Sequence, residues 1–168
     1  MGSHVAYIST GSNIGEKCRN CRQGIDALTK GGISFLRDRS LFYATEPVDY
    51  KDQDWFINIV VKIETFFDAF ELLEQLKKIE SKAGRIGSEK RFGPRILDMD
   101  IIFYDDLVIK SPKLVVPHPR MHKRRFVLKP ICDIDPTIVH PVLQKNMKYL
   151  LDKLGVEGQR IVQYRCDY

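Results

Sequence analysis

The first apolar run of the chain, "VAYIST", is rich in β-branched and aromatic side chains, which predicts a short strand. Gly11, Ser12, Asn13 and Gly15 then mark a turn into a helix that runs to about Lys30. After Gly31 and Gly32, "ISFLRDRSLFYAT" reads as one long strand, "EPVDYKDQD" as a polar loop and "FINIVVKIET" as a second strand able to pair with the first. The period changes in "DAFELLEQLKKIESKAG", where Phe70, Leu73, Leu76 and Ile79 recur at helical spacing between an N-cap at Asp68 and a stop at Gly84. A basic loop, "RIGSEKRFGPR", leads into the strand "ILDMDIIFY". "DLVI" and "KLVVPH" are short extended pieces, "RMHKRRFVLKPICDI" is expected to be helical in its first part, and "NMKYLLDKL" is the last helix.

Strand, helix, strand, strand, helix, strand is the order of a split βαβ unit. The expected fold class is therefore α+β, a ferredoxin-like antiparallel sheet flanked by helices. At 168 residues and 43% hydrophobic content, with no internal repeat or linker, the chain supports one core and a single domain. Residues 1–4 are read as a tag remnant because of Gly2, Ser3 and His4, and residues 5–168 as the domain.

Charge and cysteine usage narrow the classes. A net charge of +5 favours anionic partners, leaving nucleotides, nucleic acids and anionic membranes open. No apolar run approaches the roughly 20 residues that span a bilayer, and the start lacks a signal sequence, so the expected location is cytoplasmic. Of the four cysteines only the pair in "CRNC" is closely spaced, with no companions for a zinc site. Cys18 and Cys21 are read as two helix residues a turn apart, kept reduced, with a redox pair as the lesser alternative.

The candidate chemistry begins in "ILDMDIIFY". Side chains alternate along a strand, so Leu97, Met99, Ile101 and Phe103 are expected on the core face while Asp98 and Asp100 share the other, about 7 Å apart. Two acids on an otherwise apolar strand can simply solvate an outer face or pair with arginines. The preceding loop carries Lys82, Arg85, Lys90, Arg91 and Arg95 against Glu89, and by itself reads as a solvated charge run. Together the two features match a nucleoside triphosphate: acids to hold magnesium, and guanidinium forks to hold phosphate oxygens. The same alternation puts Phe56, Asn58 and Val60 on one face of "FINIVVKIET", with Ile57, Ile59 and Val61 toward the core. A flat ring beside an amide suits a planar heterocycle.

"RFGPRILDMDIIFY", "VVPHPRMHKRRFVLKPICDIDP", "YISTGSNIG" and "FIN" together resemble 6-hydroxymethyl-7,8-dihydropterin pyrophosphokinase of folate biosynthesis, from Tyr7 to about Leu154. The resemblance implies a ferredoxin-like enzyme that moves the pyrophosphoryl group of ATP to the pterin hydroxymethyl oxygen, releases AMP and uses two Mg2+ ions. It makes Asp98 and Asp100 the metal ligands and places them with Arg85 and Arg95 at the chemistry. Around ATP it puts Glu80, Arg85, Arg91, Arg95, Ile101, Lys113, Val115, His118 and Arg124; around the pterin it puts Thr45, Pro47, Val48, Phe56, Asn58, Asp98 and Phe126. Gly11, Ser12 and Asn13 support the pocket floor, since "GSNIG" lacks the Lys and Ser or Thr of a P-loop. The basic loop is expected to close over ATP as a lid. The expected partners are ATP and the pterin, with no nucleic acid or membrane, and a monomer is the working expectation.

Departures from the pattern occur at Glu46, where relatives often have proline, at Gly87 for arginine, at Phe92 for tryptophan and at Pro119 for tyrosine. The lost arginine bears on how strongly the loop grips the triphosphate. Two rival readings remain. A ferredoxin-like RNA-binding module fits the basic and aromatic residues, but Asp98 and Asp100 would repel phosphate unless a metal intervened. A two-metal nuclease or nucleotidyltransferase explains the acids and arginines but not Phe56, Asn58 and Phe126.

Overall fold

Residues 2–84, 94–155 and 158–167 are described in the computed structural model of the chain. Its first strand, β1 (His4–Ser12), lies inside a six-stranded antiparallel sheet. The other strands are β2 (Ser34–Arg39), β3 (Phe42–Thr45), β4 (Phe56–Thr65), β5 (Asp98–Tyr104) and β8 (Ile161–Tyr164), and a separate hairpin joins β6 (Ile109–Lys110) to β7 (Val115–Val116). The order β5-β1-β4-β3-β8, with β2 also on β4, is the ferredoxin-like arrangement expected from the sequence. His4, set aside as part of a tag remnant, opens β1: it pairs with Thr65 and its Nδ1 lies 2.7 Å from Asp105 Oδ2.

The single long strand expected over residues 33–45 is divided at Ser40. Its hydroxyl accepts the Val60 N–H and donates to the Leu41 carbonyl, so a side chain takes over part of the ladder and the strand breaks there.

Two helices, α1 (Lys17–Thr29) and α2 (Ala69–Lys82), cover one face of the sheet. They enclose Ala6, Ile8, Ile59, Val61, Ile63, Leu72, Leu76 and Leu97. Asp68 caps α2 reciprocally with Glu71, and Gly84, at φ 101°, ends it, as expected. The other face is half covered by α3 (Arg125–Ile134) and α4 (Met147–Leu154), which bury Tyr7, Val60, Ile102, Val127, Leu128 and Ile131.

Helix α3 corrects the expectation for "RMHKRRFVLKPICDI". Only a 3-10 turn, Met121–Lys123, forms in its first part, and the α-helix occupies the second despite Pro130. Burying Val127, Leu128 and Ile131 against the sheet outweighs the hydrogen bond that the proline removes, a cost of about 3 kcal/mol.

Strand β5 corrects a second expectation. Pairing with β1 shifts between Tyr7 and Ile8, so that Ile8 meets Ile101 while Tyr7 meets Phe103. The extra residue flips the strand beyond that point. Leu97, Met99 and Ile101 face the first core as expected, but Phe103 packs in the second cluster, under α3 and α4.

The cysteines supply a third correction. Cys18 is joined to Cys166 across a Cα–Cα distance of 5.8 Å, while Cys21 and Cys132 remain thiols. Two residues 148 positions apart meet because β8 carries the tail back along β3 to the start of α1, and local spacing carries no signal of that. Among the described residues no helix is long and apolar enough to cross a membrane.

Candidate active site

The half of the second sheet face that α3 and α4 leave uncovered is a cleft. Strand pairing aligns its floor: Gly11 on β1 lies between Asp98 on β5 and Asn58 on β4, and Ser9 lies between Asp100 and Val60. The acids and the amide therefore stand two strand spacings apart, about 10 Å, with only a glycine between them. A Cβ at Gly11 would collide with Asn58 Oδ1, so the floor is low there because no side chain can occupy it. Asn58 is buried and its Nδ2 donates to Thr45 Oγ1 at 2.5 Å, which orients the amide. Phe56, on the same face of β4, and Phe126, in the first turn of α3, line the cleft with Pro47 and Val48.

Asp98 and Asp100 are half-buried and both line the cleft, with Arg95 and Arg124 beside them. Arg95 is held by its backbone: its N–H donates to Asn13 Oδ1 at 2.7 Å and its carbonyl accepts the Asn13 N–H at 3.0 Å. The Asn13 side chain donates in turn to Gln53 Oε1 and the Asp54 carbonyl, so one turn residue fastens both sides of the cleft. This is the supporting role expected for the "GSNIG" turn. Arg95 Nη1 is buried with no hydrogen-bond partner among the described residues. A buried guanidinium donor in that state is available to an anionic ligand.

Arg124 sits at the α3 N-cap with its guanidinium 5.4 Å from the Phe126 ring centroid. Burial and then Arg120 pull its pKa down, and Asp100, Asp49 and Asp98 oppose them. The acid pair thus already serves as partial counter-charge to Arg124. His118 is neutral at pH 7: burial, then Arg124 and Arg120, lower its pKa to about 4. Its Nδ1 accepts the Arg120 N–H at 3.2 Å, which leaves the ring proton on Nε2 as a donor.

Of the residues singled out from the sequence, the cleft brings together Thr45, Pro47, Val48, Phe56, Asn58, Arg95, Asp98, Asp100, Arg124 and Phe126. Glu80, Ile101, Lys113, Val115 and His118 are not among its lining. Glu80 is buried and accepts the Met99 N–H at 2.7 Å, fastening α2 to β5 beneath the acid pair. The Ile101 side chain is in the first core, and Val115 and Lys113 belong to the hairpin that packs beside β5. Arg85 and Arg91, and most of the expected lid, lie outside the described residues.

Ser9, Glu46, Asp49, Gln53 and Gln159 also line the cleft and were not singled out as site residues. Alternation along β1 could have found Ser9, two residues from Gly11 on the same face. Gln159 had no local signal. Glu46 donates its N–H to the Arg160 carbonyl and accepts the Arg160 N–H on its carboxylate. A proline at this position could supply neither contact.

Among the described residues no group of three or more His, Cys, Asp or Glu converges on a metal position. Two carboxylates on one face of a strand nevertheless fit Mg2+, which takes one or two protein acids and completes its shell with water and substrate phosphates. They do not suit zinc, which wants nitrogen or sulfur donors.

A profile of the family described as 7,8-dihydro-6-hydroxymethylpterin-pyrophosphokinase (HPPK) matches residues 7–136. The chain is 42% identical over 158 residues to the folic acid synthesis protein fol1 of Schizosaccharomyces pombe, covering 94% of this chain and 21% of that protein. It thus spans about a fifth of the length of fol1 and its similar Dictyostelium discoideum and Pneumocystis carinii counterparts. Against the 2-amino-4-hydroxy-6-hydroxymethyldihydropteridine pyrophosphokinase of Bacillus subtilis the identity is 42% over 132 residues, 79% of this chain and 78% of that one. A Plasmodium falciparum HPPK-DHPS crystal structure with pterin and p-hydroxybenzoate superposes with a TM-score of 0.73 at 17% identity, over 91% of this chain and 42% of that one, and shares the fold. Fold, length-wide identity and profile agree: the chain belongs to the 7,8-dihydro-6-hydroxymethylpterin-pyrophosphokinase family.

Proposed function

We propose that this cleft transfers the pyrophosphoryl group of ATP to the hydroxymethyl oxygen of 6-hydroxymethyl-7,8-dihydropterin, releasing AMP. The observation that carries the reading is the row Asp98, Gly11, Asn58 across adjacent strands, which sets acids for a metal–phosphate group one glycine away from an amide and rings for a flat heterocycle. Family membership and the names of the similar proteins support the same reaction.

In this reading Phe56 and Phe126 hold the pterin ring, and Asn58, oriented by Thr45, reads its edge. Arg95 supplies its buried Nη1 to a phosphate oxygen, and Arg124 offers a second guanidinium beside the acid pair. Asp98 and Asp100 would hold two magnesium ions, which would supply charge neutralisation to the triphosphate. The pterin hydroxyl oxygen attacks the β-phosphorus in line, the bond to the AMP oxygen breaks, and Asp100 accepts the hydroxyl proton. Positioning and charge do the work, so no side-chain nucleophile is required.

The covered sheet face argues against the RNA-module reading. Such modules stack bases on an open sheet, whereas α3 and α4 occupy half of this one.

The test is AMP formation from ATP with the reduced pterin added and omitted. AMP should appear only with pterin, with pyrophosphate retained on the acceptor. Asp100→Asn should keep the fold and lower turnover about 100-fold or more. AMP release without pterin, or near-normal turnover in Asp100→Asn, would overturn the assignment.

A further inference from the structure

The segment after α4 lies beyond the stretch that the family profile matches, yet Gln159 reaches the cleft. Its Nε2 donates to the Glu46 carbonyl, at the start of the loop whose Pro47 and Val48 form the pocket edge. The next residue, Arg160, exchanges backbone and carboxylate bonds with Glu46 and lays its guanidinium 5.0 Å from the Trp55 ring centroid. The tail thus grips both ends of the loop between β3 and β4.

The first turn of α1 and the turn before it grip the same loop. Lys17 Nζ donates to the Trp55 carbonyl at 2.9 Å, and Asn13 donates to Gln53 and to the Asp54 carbonyl. The Cys18–Cys166 bond joins these two holders, and Arg22, one turn further along α1, donates to the Cys166 and Asp167 carbonyls. Between its ends the tail has little of its own to hold it. Strand β8 is four residues long, lies on the sheet edge, and leaves Val162 and Tyr164 exposed.

We propose that residues 158–167 are a strap that positions the pterin side of the cleft, with Cys18–Cys166 as a redox-sensitive fastening. The proposal rests on the pterin reading of the cleft. Both cysteines are half-buried and open to exchange. A thiolate of a small dithiol attacks one cystine sulfur and expels the other cysteine as a thiolate; its second thiolate then attacks the dithiol sulfur of the mixed disulfide and expels the remaining cysteine. Two cysteine thiols and an oxidised dithiol result, with two electrons and two protons transferred. Opening the bond removes the one covalent tie and leaves the strap to the noncovalent holds at Glu46, Trp55, Arg125, β3 and Arg22, so loop 46–55 samples more conformations and the acceptor must order it on binding. Arg95 and the acid pair are held instead by Asn13 and by the pairing of β5 with β1. Acceptor affinity should therefore depend on the thiol state, and nucleotide affinity should not.

The experiment compares oxidised protein, protein reduced with dithiothreitol, Cys166→Ser and Gln159→Ala. Pterin KM and dissociation constant are measured beside those of a non-hydrolysable ATP analogue, at a temperature where all four are folded by circular dichroism. Reduction and Cys166→Ser should each raise the pterin constants about tenfold and leave the nucleotide constant within twofold. Cys166→Ser should not respond to dithiothreitol, and re-oxidation should restore the wild-type protein. Gln159→Ala should raise the pterin constants in the oxidised state, and the Glu46 amide should exchange faster on reduction. Equal pterin affinity in both thiol states, or equal loss for both ligands, would overturn the strap alone. Oxidised protein that binds no pterin at all would overturn the functional reading and the strap with it.

Discussion

Replacing Asn13 separates the two halves of the cleft. Its side chain is 2% exposed and makes three hydrogen bonds: one accepted from the Arg95 N–H at 2.7 Å and two donated, to Gln53 Oε1 at 2.8 Å and to the Asp54 carbonyl at 3.1 Å. Asn13→Ala removes all three and leaves their partners without it. At about 1 kcal/mol for each, the loss is about 3 kcal/mol of folding stability. For a domain of this size that lowers the melting temperature by about 6–12 °C. Asn13→Asp is the sharper probe, because a carboxylate still accepts the Arg95 N–H but cannot donate to Gln53 or Asp54. Those two bonds, about 2 kcal/mol together, bear on the loop at the pterin side, so the acceptor KM should rise by up to about 30-fold. The ATP KM should change little. Thermal unfolding and steady-state AMP release with each substrate varied in turn provide the assay. An Asn13→Ala protein that melts within 2 °C of wild type would refute the hydrogen-bond reasoning. An Asn13→Asp protein that raises both KM values alike would refute the division of labour.

Gly11→Ala drives a methyl group into Asn58 Oδ1, an overpacking worth about 1–3 kcal/mol; it should raise the acceptor KM at least fivefold in the AMP assay while an ATP analogue binds normally by calorimetry. Histidine titration predicts a pH dependence. His118 has a folded pKa of about 4, below its ordinary 6.5, so as pH falls the unfolded chain takes up the proton first. The stability it confers is whole above pH 6.5, is lost between 6.5 and 4, and amounts to about 3 kcal/mol at most. Urea unfolding of wild type minus His118→Gln should show that slope, and a flat difference curve would refute it. Asp68→Ala deletes the α2 cap and should lower stability by about 1–2 kcal/mol with the KM values unchanged, as read by the same two assays.

Local pattern and tertiary structure divided the work along physical lines. Elements whose formation depends on near neighbours were legible in sequence: the existence and cap of α2, although its buried face is Ala69, Leu72, Leu76 and Glu80 and leaves Phe70 exposed, the alternation that turns Asn58 and Phe56 away from the first core, and the two acids on one face of β5. Each rests on a period of 2 or 3.6 residues or on a cap a few residues away. The site was legible where such patterns placed it and where a family resemblance supplied Arg124 and Phe126.

What the sequence left open depends on partners far along the chain. The flip of Phe103 comes from a register shift against β1, and the break at Ser40 from a hydroxyl satisfying Val60 on β4. Pro130 lies inside α3 because sheet burial outweighs its missing N–H. Gln159 and Cys166 reach loop 46–55 and α1 only because β8 pairs with β3, a closure over more than a hundred residues. Short-range periodicity determines which face a side chain takes as long as the strand stays regular, since it then depends only on the backbone's own repeat. Which chain segment that face meets is decided by the packing of the whole sheet.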